Sequence, residues 1–161
     1  MRRPALGTAL FALLGPPVAA TVLVPWLLTR WDLDEPFFGW DFLRWVGVAA
    51  VGVGAIVAAE SMTRFSRLGR GTPAPWAAPA RFVATGLYRV VRNPMYIGVL
   101  LVIAGQSLLF GGVAVLLWAA TLAVVFHAFV VFVEEPSLHA RFGPEYQAYC
   151  RRVGRWFPRV R

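Results

Sequence analysis

Long uncharged apolar stretches dominate this chain and limit the folds open to it. At a rise of about 1.5 Å per residue, a helix needs roughly 20 apolar residues to cross the hydrocarbon core of a bilayer. Two stretches reach that length, and two shorter ones imply tilt or local thinning of the bilayer. With 58% hydrophobic and 15% charged residues, the composition agrees. We predict an all-α integral membrane protein with four transmembrane helices, at residues 5–29, 45–59, 95–110 and 113–133.

Arginine residues predict the orientation of these helices. All sixteen basic residues are arginine: two precede the first segment, six lie between the second and third, and six follow the fourth. The connection between the first two segments is acidic, and the turn between the last two is uncharged. Because cytoplasmic loops carry an excess of Lys and Arg, both termini and the long central loop should be cytoplasmic. The charge then reflects topology and headgroup contact, and we expect no nucleic-acid partner.

The first segment has a second interpretation. Two N-terminal arginines, an apolar run and the small residues 18–20 also fit a secretory signal peptide with its cleavage site. The apolar run continues past that site to Leu28, which favours a retained anchor. Pro16, Pro17 and Pro25 should kink the helix.

Within a single membrane domain the chain divides into two parts. Residues 1–79 contain the first two segments and most of a loop, residues 64–88, that is rich in proline and glycine and where a regular helix is not expected. In this part Ala50, Gly54 and Ala58 form a stripe of small residues suited to close helix packing. Residues 80–157 contain the last two segments, which form a helical hairpin, and a C-terminal tail.

Two short polar motifs lie at the ends of the predicted hairpin. Residues 92–98 (Arg-Asn-Pro-Met-Tyr-Ile-Gly) open the third segment, and residues 134–136 (Glu-Glu-Pro) close the fourth. Two helices joined by the glycine pair at 111–112 return the chain to the surface it left, so the two motifs should face each other. Such an arrangement is typical of a functional site. Asn93 either caps the third helix or contacts a ligand.

The adjacent carboxylates Glu134 and Glu135 have two interpretations. Two acids at a membrane surface are costly unless a cation accompanies them. Arg89, Arg92 or Arg141 would supply a structural ion pair, whereas a doublet that faces a tyrosine-bearing motif favours a ligand. Adjacent carboxylates also favour an acid–base role for one of them.

The tail is predicted to be an amphipathic helix interrupted at residues 143–144 (Gly-Pro). Apolar and aromatic residues recur along it every three or four positions. The helix therefore either lies on the lipid headgroups or covers the mouth of the hairpin. His127, inside the fourth segment, is either functional or hydrogen-bonded to a neighbouring helix. Cys150 is the only cysteine, so neither a disulfide framework nor a metal motif is expected.

Residues 80–157 resemble the integral-membrane methyltransferases that include isoprenylcysteine carboxyl methyltransferases and phosphatidylethanolamine N-methyltransferases. The shared pattern is Gly-x-Tyr, Arg-His-Pro-x-Tyr-x-Gly, an apolar hairpin, Glu-Glu, and Phe-Gly-x-Glu-Tyr-x-x-Tyr. This chain follows it at residues 86–88, 92–98, 134–135 and 142–149. Each motif is weak alone, but their order around a membrane hairpin makes the resemblance specific.

The resemblance implies that S-adenosyl-L-methionine binds at the cytoplasmic mouth of the hairpin. Glu134 and Glu135 would meet its cations or hydroxyls, and a tyrosine would pack on adenine or the sulfonium. Arg92 or Arg89 would pair with its carboxylate. Glu134, Glu135 and Arg92 are the catalytic candidates. The implied cofactor contacts are Ala80, Arg81, Phe82, Val83, Tyr88, Asn93, Pro94, Met95, Tyr96, Glu134 and Glu135.

Two departures from the pattern bear on the substrate. Asn93 replaces the commoner His, and Asn-Pro-Met-Tyr followed by Glu-Glu-Pro resembles the phospholipid N-methylating branch. Val130 stands where the prenylcysteine branch has a substrate-binding Arg. Both departures favour an amine or another lipophilic acceptor over carboxyl methylation, although the tail is similar to the carboxyl-methylating and bacterial members.

The expected function is methyl transfer to a lipophilic acceptor from the bilayer, either a phospholipid amine headgroup or a prenylcysteine or other lipid-like molecule. We expect a bacterial inner-membrane protein whose site faces the cytoplasm. One alternative is an NADPH-dependent membrane reductase of the sterol-reductase type, which has a similar hairpin pattern. The other is a small membrane scaffold without enzymatic activity.

Overall fold

The computed structural model describes residues 15–69 and 83–159, and both ranges are largely helical. They contain no β-strand; an isolated bridge joins Val91 to Gly154. Short 3₁₀ turns lie at Phe37–Gly39 and Gly86–Arg89. The longer elements are α1 (Pro16–Thr29), α2 (Phe42–Gly69), α3 (Pro94–Phe110), α4 (Val113–Phe129), a π-helical turn (Val130–Glu134) and α5 (Glu135–Arg152).

Two helical segments are long and apolar enough to cross a membrane. They are Phe42–Leu68 and Val113–Arg152, while α1 and α3 are apolar but shorter. The predicted all-α fold is confirmed, and these two segments include the second and fourth predicted spans. The count of four spans and the cytoplasmic termini stay predictions. Residues 5–14 of the first predicted segment lie outside the described ranges.

Helix α2 extends past Glu60, where the apolar segment ends, as far as Gly69. No proline or glycine interrupts residues 60–68, and the Arg64 Nε lies 2.6 Å from the Glu60 Oε1 one turn earlier. Such i,i+4 pairs support a helix beyond its apolar part. The extension places the Arg64 guanidinium against Gly86, in the turn that precedes α3.

Helices α2 and α3 pack through glycines. A methyl group built on Gly54 would lie 2.7 Å from the Gly98 carbonyl oxygen, and one on Gly47 would lie 2.6 Å from the Gly105 carbonyl oxygen. Such small residues let two backbones approach closely. Gly54 of the predicted stripe lies in this contact, and so does Ala58, whose backbone faces Gly98.

Proline produces the irregularity predicted for α1. Residues Ala19–Leu23 form a π-helical turn just before Pro25. Because Pro25 has no N–H, it cannot donate to the carbonyls of the preceding turn. Side chains of the hairpin donate instead: Gln106 Nε2 lies 2.7 Å from the Thr21 carbonyl oxygen, and Trp118 Nε1 lies 3.0 Å from the Ala20 carbonyl oxygen. The proline thus anchors α1 to α3 and α4.

The turn between α3 and α4 is covered by the acidic connection that follows α1. Gly111 has a φ of +76°, and a side chain there would collide with the Glu35 carbonyl. Asp34 N donates to the Phe110 carbonyl over 3.0 Å, and Arg44 donates to the carbonyls of Asp34 and Leu109. This end of the hairpin is therefore closed, and the polar motifs lie at the other end.

Two apolar clusters stabilise the hairpin and its tail. The first lies between α3 and α4 and is centred on Ile103 and Val115, both fully buried. The second is formed in α5, which kinks at Gly143 as predicted, with a φ of +47°. Its buried members pack against Ala84, so the apolar face of the tail covers the segment before α3. Those members are Tyr146, Tyr149 and Val153.

Candidate functional site

The two polar motifs meet at the open end of the hairpin. Tyr96, in the first turn of α3, donates its hydroxyl to Glu134 Oε2 over 3.1 Å. Glu134 is the last residue of the π-helical turn. Hairpin legs of similar length joined by a tight turn bring these residues together across 38 positions of sequence. The prediction that the two motifs face each other is confirmed.

Glu135 forms the ion pair that was one of the two interpretations of the acidic doublet. Arg92 Nη1 lies 2.9 Å from Glu135 Oε1. Arg155 adds Nε at 2.7 Å and Nη2 at 2.9 Å, the two-pronged geometry of strong guanidinium–carboxylate pairs. Hydrogen bonding to Glu135 raises the pKa of Arg155, so its charge is permanent. Glu135 is therefore neutralised within the protein.

Glu134 differs sharply from its neighbour. Within residues 15–69 and 83–159, no Arg or His side chain lies within 4.0 Å of its carboxylate. Its hydrogen-bond donor is the neutral hydroxyl of Tyr96. Glu134 is half-buried. A carboxylate partly removed from water without a cation is costly, and a positively charged ligand would lower that cost.

Asn93 occupies the N-cap position of α3 but does not cap it. Its amide is buried and donates to the Arg155 carbonyl over 3.2 Å. The neighbouring Arg92 N–H donates to the Gly154 carbonyl over 2.8 Å. Capping, one of the two interpretations of Asn93, is not observed, because the tail offers its amide an acceptor that a sequence pattern does not show. These two hydrogen bonds join the motif to the tail.

Aromatic rings from α4 and from the tail lie beside the Tyr96 side chain. The Phe126 ring lies 4.7 Å from it and the Trp156 ring 6.4 Å, measured between centroids. Trp156 Nε1 donates to His127 Nδ1 over 3.0 Å. His127 is thus hydrogen-bonded, as one interpretation held, but its partner comes from the tail and not from a neighbouring helix. The sequence analysis missed Phe126 and Trp156, because aromatic residues are common throughout the chain.

Glu60 is a third carboxylate at this end of the molecule, near Tyr88. Tyr88 is buried, and this burial is the main reason why the pKa of its hydroxyl is raised. The charges of Glu134 and of other neighbours, including Glu60, raise it further. Its carbonyl accepts the Tyr149 hydroxyl over 2.6 Å. Glu60 Oε2 is buried and has no hydrogen-bond partner in the described part of the chain. In the sequence, Glu60 appeared only as the charged boundary of an apolar segment.

The structure places most of the predicted contacts together. Arg92, Tyr96, Glu134 and Glu135 lie at the hairpin mouth with the buried Asn93. Pro94 and Val83 are buried, Met95 is half-buried, and Tyr88 interacts with Glu134. Ala80, Arg81 and Phe82 lie outside the described residues. In the described ranges, no three His, Cys, Asp or Glu side chains form a metal site.

Fold and site together define a class of protein, a helical membrane protein with a carboxylate and tyrosine cluster at the mouth of a hairpin. A family model for phospholipid methyltransferases matches residues 42–145, which include the whole hairpin and Glu60. The chain belongs to this phospholipid methyltransferase family, whose members methylate lipids. No curated protein matches the chain. The family match supports neither the reductase nor the scaffold alternative.

Proposed function

We propose that this protein transfers a methyl group from S-adenosyl-L-methionine to the amine of a phospholipid headgroup. The observation that carries the proposal is the Tyr96–Glu134 contact, whose carboxylate has no cation among the residues that the structure describes. The methyl donor carries a sulfonium and an ammonium, and the acceptor is itself an ammonium. Both would supply the positive charge that Glu134 lacks.

The residues at the hairpin mouth fit such a methyl donor. The faces of Tyr96, Phe126 and Trp156 attract sulfonium and ammonium groups. Arg92 Nε is buried without a hydrogen-bond partner in the described part of the chain, so it can donate to a ligand carboxylate. When bound, the cofactor supplies an electrophilic methyl group on sulfur.

The protein's own contribution is positioning and proton removal. A headgroup ammonium must lose a proton before its nitrogen can bond to the methyl carbon, and Glu134 is the best-placed group to accept that proton. Arg92 and Glu135 hold each other and the tail in place, so we assign them mainly a positioning role. The hydrogen bonds and ion pairs between motif and tail favour alignment of donor and acceptor, the dominant requirement for such a displacement.

The position of the site at the membrane surface suits an acceptor that is a lipid amine. A phospholipid amine reaches the hairpin mouth from the surface of the bilayer, since its acyl chains stay in the membrane. The arginine distribution supports a cytoplasmic position for this mouth, on the side where the cofactor is made. We therefore place the protein in a bacterial inner membrane with its site facing the cytoplasm.

The experiment compares Glu134→Gln with Glu145→Gln, a matched change at an exposed glutamate of α5. Detergent-purified protein is given isotope-labelled S-adenosyl-L-methionine and phosphatidylethanolamine, and labelled lipid is resolved by mass spectrometry. Glu134→Gln should lower turnover by about 10²-fold or more, the range for loss of a general base. Glu145→Gln should leave turnover unchanged.

A second arm tests the acceptor and the cofactor. Phosphatidylethanolamine whose amine is acylated should gain no label, and a prenylcysteine should gain less than the free amine lipid. NADPH should not displace the methyl donor in a titration. Full turnover by Glu134→Gln would refute the assignment of the base, and labelling of the acylated lipid would refute the amine as the acceptor.

A further inference from the structure

A groove on the outer side of the Gly86–Arg89 turn has no part in the proposed reaction. It has a volume of about 720 Å³ and lies between that turn and the end of the tail. Its apolar lining includes Val90 and Val153. The polar residues that line it are Thr85, Tyr149, Arg89, Arg152 and Arg159.

No acidic side chain neutralises these three arginines. The chain has eight Asp and Glu residues, and all of them lie in the described ranges. None of the eight lines the groove, and none lies within 4.0 Å of any of the three guanidinium groups. The hydrogen bonds that Arg152 and Arg159 form go to backbone carbonyls, at 3.3 and 2.6 Å. Among the residues that the structure describes, the positive charge of the groove is therefore uncompensated.

This groove is separate from the carboxylate site. Thr85 and Arg89 line the groove, whereas Arg92, Tyr96, Glu134 and Glu135 of the carboxylate site are not among its lining residues. S-adenosyl-L-methionine carries a net positive charge, so a groove edged by three arginines repels it. The two sites thus have opposite charge preferences: the carboxylate site suits cations and the groove suits an anion.

We propose that this groove binds the phosphate of an anionic phospholipid. Guanidinium groups recognise phosphate oxygens with paired, charge-assisted hydrogen bonds, and Thr85 adds a further donor. The apolar lining suits the glycerol and the first carbons of a lipid better than it suits a free ion. The groove lies near the start of α3 and the end of α5, at one end of the apolar hairpin. Anionic lipids concentrate near basic clusters at a membrane surface.

The experiment measures lipid retained by the detergent-purified full chain in native mass spectrometry. Phosphatidylglycerol and the neutral lipid diacylglycerol are added in equal amounts to the wild type and to the double variant Arg152→Gln/Arg159→Gln. The control is Arg67→Gln/Arg141→Gln, which removes the same charge at exposed arginines outside the groove. Melting temperature confirms that each variant is folded.

The wild type and the control should retain more phosphatidylglycerol than diacylglycerol. The groove variant should retain at least about tenfold less phosphatidylglycerol than the wild type. Equal retention by all three proteins, or an equal loss in the control, would overturn the proposal. Inorganic phosphate at millimolar concentration should not displace the lipid; displacement would assign the groove to a soluble phosphate instead. Cofactor affinity, measured in parallel, tests the carboxylate site independently.

If the groove variant fails to fold, Thr85→Val replaces it, because this change keeps the charge and the shape while removing a donor. It should lower phosphatidylglycerol retention by about threefold to tenfold, the range for one hydrogen bond of a solvent-exposed hydroxyl. Unchanged retention in Thr85→Val would then count against the phosphate site.

Discussion

Arg155 binds Glu135 through two hydrogen bonds, 2.7 Å from Nε and 2.9 Å from Nη2, and so ties the end of the tail to the start of α5. Its own carbonyl accepts the amide of Asn93 at the start of α3. One residue thereby joins three segments around the site. The stability of the hairpin mouth should depend on it.

Arg155→Ala should destabilise the protein by about 1–2 kcal/mol, because the pair is partly exposed and Glu135 keeps Arg92 as a second partner. Arg155→Lys should recover only part of this, since an ammonium cannot form the paired bonds. The measurement is thermal unfolding in detergent, with Arg151→Ala as the control at an exposed neighbour. Equal melting temperatures for Arg155→Ala and wild type would show that the tail is held elsewhere.

Two substitutions at Tyr96 should separate the contribution of its aromatic ring from that of its hydroxyl. Tyr96→Phe removes the 3.1 Å hydrogen bond to Glu134 but keeps the ring against Phe126. We expect cofactor affinity to fall less than tenfold in Tyr96→Phe and turnover to be abolished in Tyr96→Ala, which also loses the aromatic face. Isothermal titration with S-adenosyl-L-methionine and the labelled-lipid assay measure the two effects. Identical behaviour of both variants would place the whole role in the hydroxyl.

The glycine contact between α2 and α3 offers a matched pair of substitutions. Gly54→Ala places a methyl group 2.7 Å from the Gly98 carbonyl oxygen, whereas Gly52→Ala meets nothing within 4 Å. Gly54→Ala should destabilise the protein by about 1–3 kcal/mol through overpacking. Gly52→Ala should be neutral or stabilising by up to about 1 kcal/mol, because alanine favours helix over glycine. Chemical unfolding of both variants in the same detergent decides; equal stabilities would contradict the close approach.

Gln106 and Pro25 should be energetically coupled. Gln106 donates to the Thr21 carbonyl, which Pro25 deprives of a backbone donor. Gln106→Leu should cost about 1–2 kcal/mol in the wild type, because a carbonyl is left unsatisfied. In a Pro25→Ala background the restored N–H should make the same change nearly neutral. A double-mutant cycle of unfolding free energies measures the coupling, and strict additivity would contradict this account of α1.

Much of the architecture could be predicted from the sequence, because apolar length and turn chemistry are local properties. The hairpin, its glycine turn and the kink at Gly143 all follow from residues close together in the chain. The meeting of Tyr96 and Glu134 follows as well, since two legs of similar length joined by a tight turn must end at the same level. The C-terminal end of α2 could not be predicted in this way. The apolar pattern stops at Glu60, but the Glu60–Arg64 ion pair supports the helix beyond that point.

The chain order of its residues was enough to identify a lipid-methylating family and the end of the hairpin where its chemistry should lie. It could not tell Glu134 from Glu135, which are adjacent and chemically identical. Successive residues on a helix point about 100° apart. One carboxylate therefore turns toward Tyr96 and the other toward Arg92 and Arg155. Only the packing of the tail against the hairpin determined which of the two is neutralised and which has no cation among the residues that the structure describes.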